Sequence, residues 1–244
     1  MTFYWKNMSI LEGGVELAGH GKSVSLQTTV NPLDKTALDN QGWVELTAGL
    51  KDSTVSFEFM QDHAAANLVD SGFWDSFGDT GTVRSICTAA DDGSVAYLMR
   101  GINLSYTPIS GQVGELAMGQ VSGATSSGPV VRGKLLHPSS TARTTSSTGT
   151  GRQLGAVADG KSLYAALHVI SVDGTTPTLD VKVQSDDNGS FSSATDRITL
   201  SQANAVGAQW GSVAGAITDD YWRISYTIGG TDPSFAFAVT VGIL

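Results

Sequence analysis

Cys87 is the single cysteine of the chain, so no disulfide can form within it, which fits a reducing compartment. Charge is scarce too: Asp, Glu, Lys and Arg make up 15% of the 244 residues. Basic residues are the rarer sign, 14 against 23 acidic, for a net charge of −9. A surface of that sign repels phosphates, which argues against a grip on nucleic acid. Ordinary acidic solubility accounts for it first, and a surface that DNA slides past without sticking is compatible with it. No apolar run approaches the roughly 18–20 residues of a membrane span. The first residues, Met1-Thr-Phe-Tyr-Trp-Lys6, lack the basic-then-apolar plan of a signal peptide, so folding in a cytoplasm is expected.

What is abundant is glycine, 29 residues, with many Ser and Thr and few helix-forming runs. The clearest element is Ser53–Asp62, where Val55, Phe57 and Phe59 alternate with Thr54, Ser56, Glu58 and Met60. A period of two places an apolar row on one side of a strand. Pro177–Asp186 repeats the pattern, with Leu179, Val181 and Val183 on the positions of Val55, Phe57 and Phe59. Further echoes follow in the same order. Gly160-Lys-Ser-Leu answers Gly21-Lys-Ser-Val, Ser225-Tyr-Thr answers Ser105-Tyr-Thr, and Ser234–Val239 answers Glu115–Val121. The expected fold class is therefore mainly β, two tandem β-sandwich domains related by duplication. Residues 1–136 form the first and 152–244 the second, with the Ser/Thr/Gly-rich stretch 137–151 as linker or flexible hairpin. An unrelated second sandwich is the alternative. Acidic charge gathers in the first half: 6 basic and 14 acidic residues in 1–125, against 8 and 9 in 126–244.

Along the first half, Gly21–Val30 reads as a strand broken by Asn31-Pro32, followed by a long polar loop, Leu33–Gly42. Loops of that length in compact domains usually carry function or lack order. One helix is expected over Asp62–Gly72, capped by Asp62, favoured by Ala64, Ala65 and Ala66, and ended by Gly72. Strands are expected at 83–88, 95–100, 101–107, 114–121 and 130–136. Asp91-Asp-Gly93 and Asp186-Asp-Asn-Gly189 read as turns.

Candidate chemistry is thin. Gly155–Ser162 fits the phosphate-binding pattern GxxxxGK[ST] letter for letter. That pattern needs a strand before it and a helix after it, to aim N–H groups at the anion. Here Leu163–Ile170 alternates like a strand. His20, His63, His137 and His168 have no metal-ligand spacing, and no GxSxG elbow presents a serine. Asp186–Gly189 lacks the closing Glu of a calcium loop. Phe73-Trp74-Asp-Ser-Phe77 and Tyr221-Trp222 suit core or subunit-interface aromatics better than sugar platforms. No catalytic, metal or cofactor site is expected, and an enzyme is not.

Several stretches together resemble the major tail (tail tube) proteins of long-tailed bacteriophages. They are Gly21-Lys-Ser-Val with its strand, the loop Leu33–Gly42, Gly49-Leu-Lys-Asp-Ser-Thr-Val-Ser-Phe57, the single helix, Gly114–Val121 and Val131-Arg-Gly-Lys-Leu-Leu136. The resemblance implies a β-sandwich flanked by a helix, packed into rings whose inner strands join as one barrel. It implies stacked rings around a tape-measure protein and later DNA, with tail terminator and baseplate proteins at the ends. It places Leu33, Asp34, Lys35, Leu38, Asp39 and Asn40 at the ring-to-ring contact. Val55, Phe57, Phe59, Leu179, Val181 and Val183 fall on inner-barrel or ring-interface strands. The location implied is the virion tail, assembled in a bacterial host's cytoplasm. With family rings of six domains, a duplicated chain would close as a trimer of pseudo-sixfold symmetry. A baseplate or decoration protein and a carbohydrate-binding module are the alternatives.

Overall fold

The computed structural model describes residues 7–17, 19–37, 42–63, 69–126 and 128–244. Among them the fold is mainly β, with one short helix. The first half contributes β1 (Ser9–Glu12), β2 (Val15–Glu16), β3 (Gly21–Asp34), β4 (Leu46–Met60), α1 (Val69–Asp75), β5 (Thr82–Cys87), β6 (Val95–Ser110), β7 (Met118–Thr125) and β8 (Val131–His137). They form two antiparallel layers that share β6. Its second part joins the four-stranded order β3-β4-β7-β6, and its first part lies between β5 and β8 in the order β2-β1-β5-β6-β8. Val55, Phe57, Phe59 and Val121 of one layer meet Ile10, Val15, Ile86 and Met99 of the other, and Val69 and Phe73 of α1 close the core.

Three expectations shift in detail. β3 runs through Asn31-Pro32, because a register shift between Val30 and Pro32 accommodates the residue that lacks an N–H. Residues 95–110 form one strand, not two. The helix is later than Asp62–Gly72: Asp62 and His63 are not helical, and residues 64–68 lie outside the described residues. Gly72 sits inside α1 instead of ending it. A Cβ there would lie 2.3 Å from Val15 Cγ2, so glycine is what lets the helix approach β2.

The second half contains β9 (Ser147–Thr148), β10 (Arg152–Gln153), β11 (Ser162–Asp186), β12 (Thr195–Thr199), β13 (Gly207–Ala214) and β14 (Tyr221–Ile243). β11 and β14 pair antiparallel from Leu163↔Ile243 to Asp186↔Tyr221. Midway, both strands carry the same four-residue pattern, Gly174-Thr-Thr-Pro177 and Gly230-Thr-Asp-Pro233. Gly174 and Gly230 adopt φ of 112° and 115°, and Thr176 and Asp232 take φ near 50°. A Cβ on Gly174 would lie 2.7 Å from the Asp232 carbonyl oxygen, and one on Gly230 2.8 Å from that of Thr176. This paired corner folds the ribbon onto itself, so Leu163 and Leu167 share one core with Leu179, Val183, Trp222, Phe235 and Phe237.

The sequence echo is therefore not an echo of pairing. In the first half the Gly21-Lys-Ser strand and the Val55 strand are hydrogen-bonded neighbours, β3 and β4. Their counterparts, 162–173 and 178–186, are successive parts of β11, each paired with β14. Nor is 137–151 a loose tether. Arg143 bridges to Phe235, Ser147 and Thr148 pair with Tyr226 and Ser225, and the Gly149 N–H donates to Ile224 O.

The halves share a buried seam. β8 pairs with β6 on one side and β14 on the other. Beside it, fully buried His168 bonds Gly13 O at 2.9 Å through Nδ1 and Ser85 Oγ at 3.0 Å through Nε2. A carbonyl only accepts, so the ring proton sits on Nδ1 and Nε2 accepts from the Ser85 hydroxyl. Ser85 in turn accepts from Thr240 at 2.7 Å. His137 stacks on Phe237 at 4.2 Å and donates to its carbonyl. Burial pushes both imidazoles down to about 4 from an ordinary 6.5.

Folded pKa values below the unfolded ones mean that the unfolded chain binds protons first. Stability should thus be flat above pH 6.5 and fall between 6.5 and about 4, by roughly 3 kcal/mol per histidine at the bottom. Asp196 is held down by the Lys182 ammonium, and Asp219 by the Ser185 hydroxyl and Arg197 guanidinium. Their contributions disappear only below the usual carboxylate range. Urea midpoints at pH 7 and 4.5 check this, with His168→Gln halving the difference; equal midpoints would refute it.

Candidate functional site

The feature of the first half that its own chain leaves unfinished is the layer β3-β4-β7-β6. Among the described residues β3 pairs with β4 and with no other strand. At the opposite side, β6 from Leu104 onward pairs among them only with β7; its other edge is touched just before, where Phe77 bridges to Asn103. Among the described residues the layer therefore has two free edges. Edges of that length are templates for another chain. The directions also agree: with four alternating strands, β6 of one copy and β3 of an identically oriented copy meet antiparallel.

The two faces of this layer differ sharply. Facing partners point to the same side of a sheet, and neighbours along a strand to opposite sides. The inward rows hold Val55, Phe57, Phe59 and Val121. The outward rows hold Ser23, Ser25, Gln27 and Thr29 of β3, and Asp52, Thr54, Ser56, Glu58 and Met60 of β4. Met118, Gln120, Ser122 and Ala124 of β7 continue them, with Ser105 and Thr107 of β6. This face carries two carboxylates and no Lys or Arg.

β3 and β4 continue beyond the layer. β4 pairs with β7 only from Thr54 onward, so Leu46–Ser53 is held by β3 alone. The resulting hairpin exposes Val30, Leu33, Trp43, Val44, Leu46 and Leu50, with Trp43 and Leu50 at 80% and 81%. Of the residues expected at a ring-to-ring contact, Leu33 and Asp34 close β3 and Lys35 follows, ion-paired with Glu45. The Thr36 hydroxyl and N–H hold Asp34 below the usual carboxylate range. Leu38, Asp39 and Asn40 lie outside the described residues. Of the stretch expected as a loop, Leu33 and Asp34 belong to the β3–β4 ladder.

Val55, Phe57 and Phe59 fill the first core; Leu179, Val181 and Val183 fill the second. β4 presents its other row outward. The 178–186 part of β11 is paired on both sides, with β12 and β14. Trp222 is buried in the second core, donating from Nε1 to Gly155 O, whereas Trp74 and Phe77 stand 65% and 52% exposed beside the free edge of β6. Ser162–Asp186 is a strand, so no helix follows Gly155–Ser162. Among the described residues no three His, Cys, Asp or Glu side chains converge to hold a metal. Buried Cys87 has its thiol pushed up to about 12 by burial first, then by Glu16.

The free edge of β6 has no counterpart among the sequence expectations, whereas Phe73–Phe77 is among the aromatics expected in the core or at a subunit interface. The signal for the edge lies in Leu104 and Ile109, which fall out of phase with the inward row, as residues at the two β6 register shifts do.

No protein-family model and no curated protein sequence matches the chain. Among solved structures, it is similar to a component of a native gene transfer agent virion. The identity is 14% and the TM-score 0.42, over 53% of this chain and 97% of that one. A chain of the sheath/tube terminator of an extracellular contractile injection system gives 12% and 0.43, over 54% and 96%. Dit of phage SPP1, from a hub adsorption apparatus, gives 11% and 0.39, over 98% and 100%. Likenesses this distant concern general shape and assign no function.

Proposed function

We propose that this chain is a structural subunit of a bacteriophage tail tube, closing laterally into rings that stack through the β3–β4 hairpin. The observation that carries the reading is the layer β3-β4-β7-β6, with two free edges in antiparallel phase and an outward face of small polar and acidic residues. Joined edge to edge, these layers form a closed barrel without exposed edges. Its lumen presents Ser, Thr and Gln with Asp52 and Glu58, a wall that hydrates well and repels phosphates. Such a lumen suits a tape-measure protein and then DNA in transit, held by no specific contact. Terminator and baseplate proteins cover the free ends, and the subunit does no chemistry.

The pairing supports one ring size over the other. The second half does not repeat the four-stranded layer, so each chain supplies one. Three copies make a barrel of ~12 strands and ~18 Å between backbones, leaving roughly 8 Å after side chains. That is too narrow for a duplex, even with strand tilt widening it by about a third. Six copies give ~24 strands and ~37 Å, with roughly 27 Å clear. We therefore favour six chains per ring over the threefold ring that duplication suggests, with the second half decorating the wall.

Electron microscopy of the purified chain should show hollow tubes or rings, with six subunits in top views. Three subunits would return the second half to the wall. Rings that never stack would favour a hub in the baseplate, and a monomer at every concentration would remove the tube reading.

A further inference from the structure

The open side of the first sandwich carries an apolar groove of about 440 Å³ under β3, lined by Met8, Val24, Leu26, Ile86, Tyr97 and Val130. It follows one cross-strand row, since Ile10 faces Ile86, Ile86 faces Tyr97 and Tyr97 faces Arg132. Val24 and Leu26 face inward on β3 yet are only partly covered, and among the described residues no element closes that side. The opposite side of the sandwich bears the converse shape. There the end of α1 and the turn after it raise Trp74 and Phe77 next to the free edge of β6, and Phe77 bridges to Asn103 on the side away from β7.

We infer that Trp74 and Phe77 of one subunit insert into the groove beneath β3 of the next copy in the ring. This rests on the edge-to-edge reading above and extends it from backbone to side chains. α1 lies on the core side of the layer, where its Phe73 stacks on Phe59 at 5.1 Å. The groove opens on the core side of β3. Once β6 and the neighbour's β3 are adjacent in one sheet, both features lie on the same side of the new ladder. Charge agrees with shape. Asp75 and Asp79 flank the aromatic knob, while Arg132 and Lys22 line the groove and its continuation. All four are exposed, and none has an ion-pair partner among the described residues. A ladder alone joins any two strands. A knob and hole with complementary charge selects the correct neighbour and register.

Trp74→Ala with Phe77→Ala tests this without endangering the fold, since both side chains are exposed in the monomer. The expected result is a rise of at least about tenfold in the concentration needed for rings. A second measurement uses Phe77→Cys and Leu26→Cys as separate chains, mixed and mildly oxidised. A disulfide-linked pair should form from the mixture and from neither variant alone; Cys87, buried and with its thiol raised to about 12, stays silent. Rings forming normally in the double alanine variant, with no cross-link, would overturn the insertion and leave the ring reading standing. A chain that stays monomeric throughout would overturn both. An intrachain disulfide between Leu26→Cys and Trp5→Cys would assign the groove to the chain's own first residues and overturn the insertion too.

Discussion

Replacing Arg84 by Met should destabilise the protein by about 3–5 kcal/mol. The guanidinium is fully buried, with Nε 2.5 Å from Glu12 Oε2 and Nη2 2.5 Å from Asn103 Oδ1. The Asn103 amide also donates to Glu12 Oε1 at 2.5 Å, and to the Ser76 hydroxyl behind α1. Sequence made the room: a Cβ at Gly101 would lie 2.4 Å from Arg84 Nη1, and one at Gly123 would lie 3.0 Å away. Removing the cation strands a carboxylate in a dry interior, which costs more than the pair contributed. The cluster sits where β6 leaves one layer for the other, so its loss also loosens the edge on which assembly depends. Urea unfolding of Arg84→Met measures the cost, and a loss under about 1 kcal/mol would refute it, being what an exposed pair gives. Replacing Arg84, Glu12 and Asn103 together by Met, Leu and Leu should recover most of the stability, as apolar substitutes for buried ionic groups often do.

Strand content was readable because burial writes itself into a period of two. Val55, Phe57 and Phe59 could face only one way, and the turn at Asp186–Gly189 announced its hairpin. Pairing was not readable from the same signal. An alternating strand does not say which neighbour it takes, and the likeness of 178–186 to 54–62 reflects a shared burial pattern, not a shared place. The informative repeat was shorter and lay elsewhere. Gly174-Thr-Thr-Pro177 and Gly230-Thr-Asp-Pro233 mark two strands bending at one corner, which only a facing pair of bulges would require.

The candidate site was legible in part for a related reason. The polar row of β4 stood in plain view, but a polar row looks the same on a solvent face and in a lumen. Free edges are a property of the partner list, which alternation does not carry. Asn31-Pro32 reads as the end of a strand, whereas in the fold it is a bulge in a ladder that reaches Asp34. The length and apolar surface of the hairpin follow only from the pairing of β3 with β4 as far as Asp34 and Leu46.

That hairpin carries the second large effect. Leu46–Ser53 extends about 25 Å past the last β7 partner, at ~3.3 Å per residue. A two-stranded ribbon is marginal by itself, and this one exposes Val30, Leu33, Trp43, Val44, Leu46 and Leu50. Nothing among the described residues covers them, so a solitary ribbon would be costly to keep apolar unless another ring covers it. Trp43→Asp with Leu50→Asp should leave monomer stability within about 0.5 kcal/mol, because both side chains are already in water. Stacking should weaken at least about a hundredfold, since two large apolar contacts worth roughly 2 kcal/mol each are lost and charge is placed in their stead. Sedimentation and electron microscopy then separate the roles. Single rings without tubes are the expected outcome, because the edges of β3 and β6 used for closure remain intact below Thr28. Tubes at the unaltered concentration would show that the hairpin does not join rings. Loss of the rings themselves would move it from the axial contact to the lateral one.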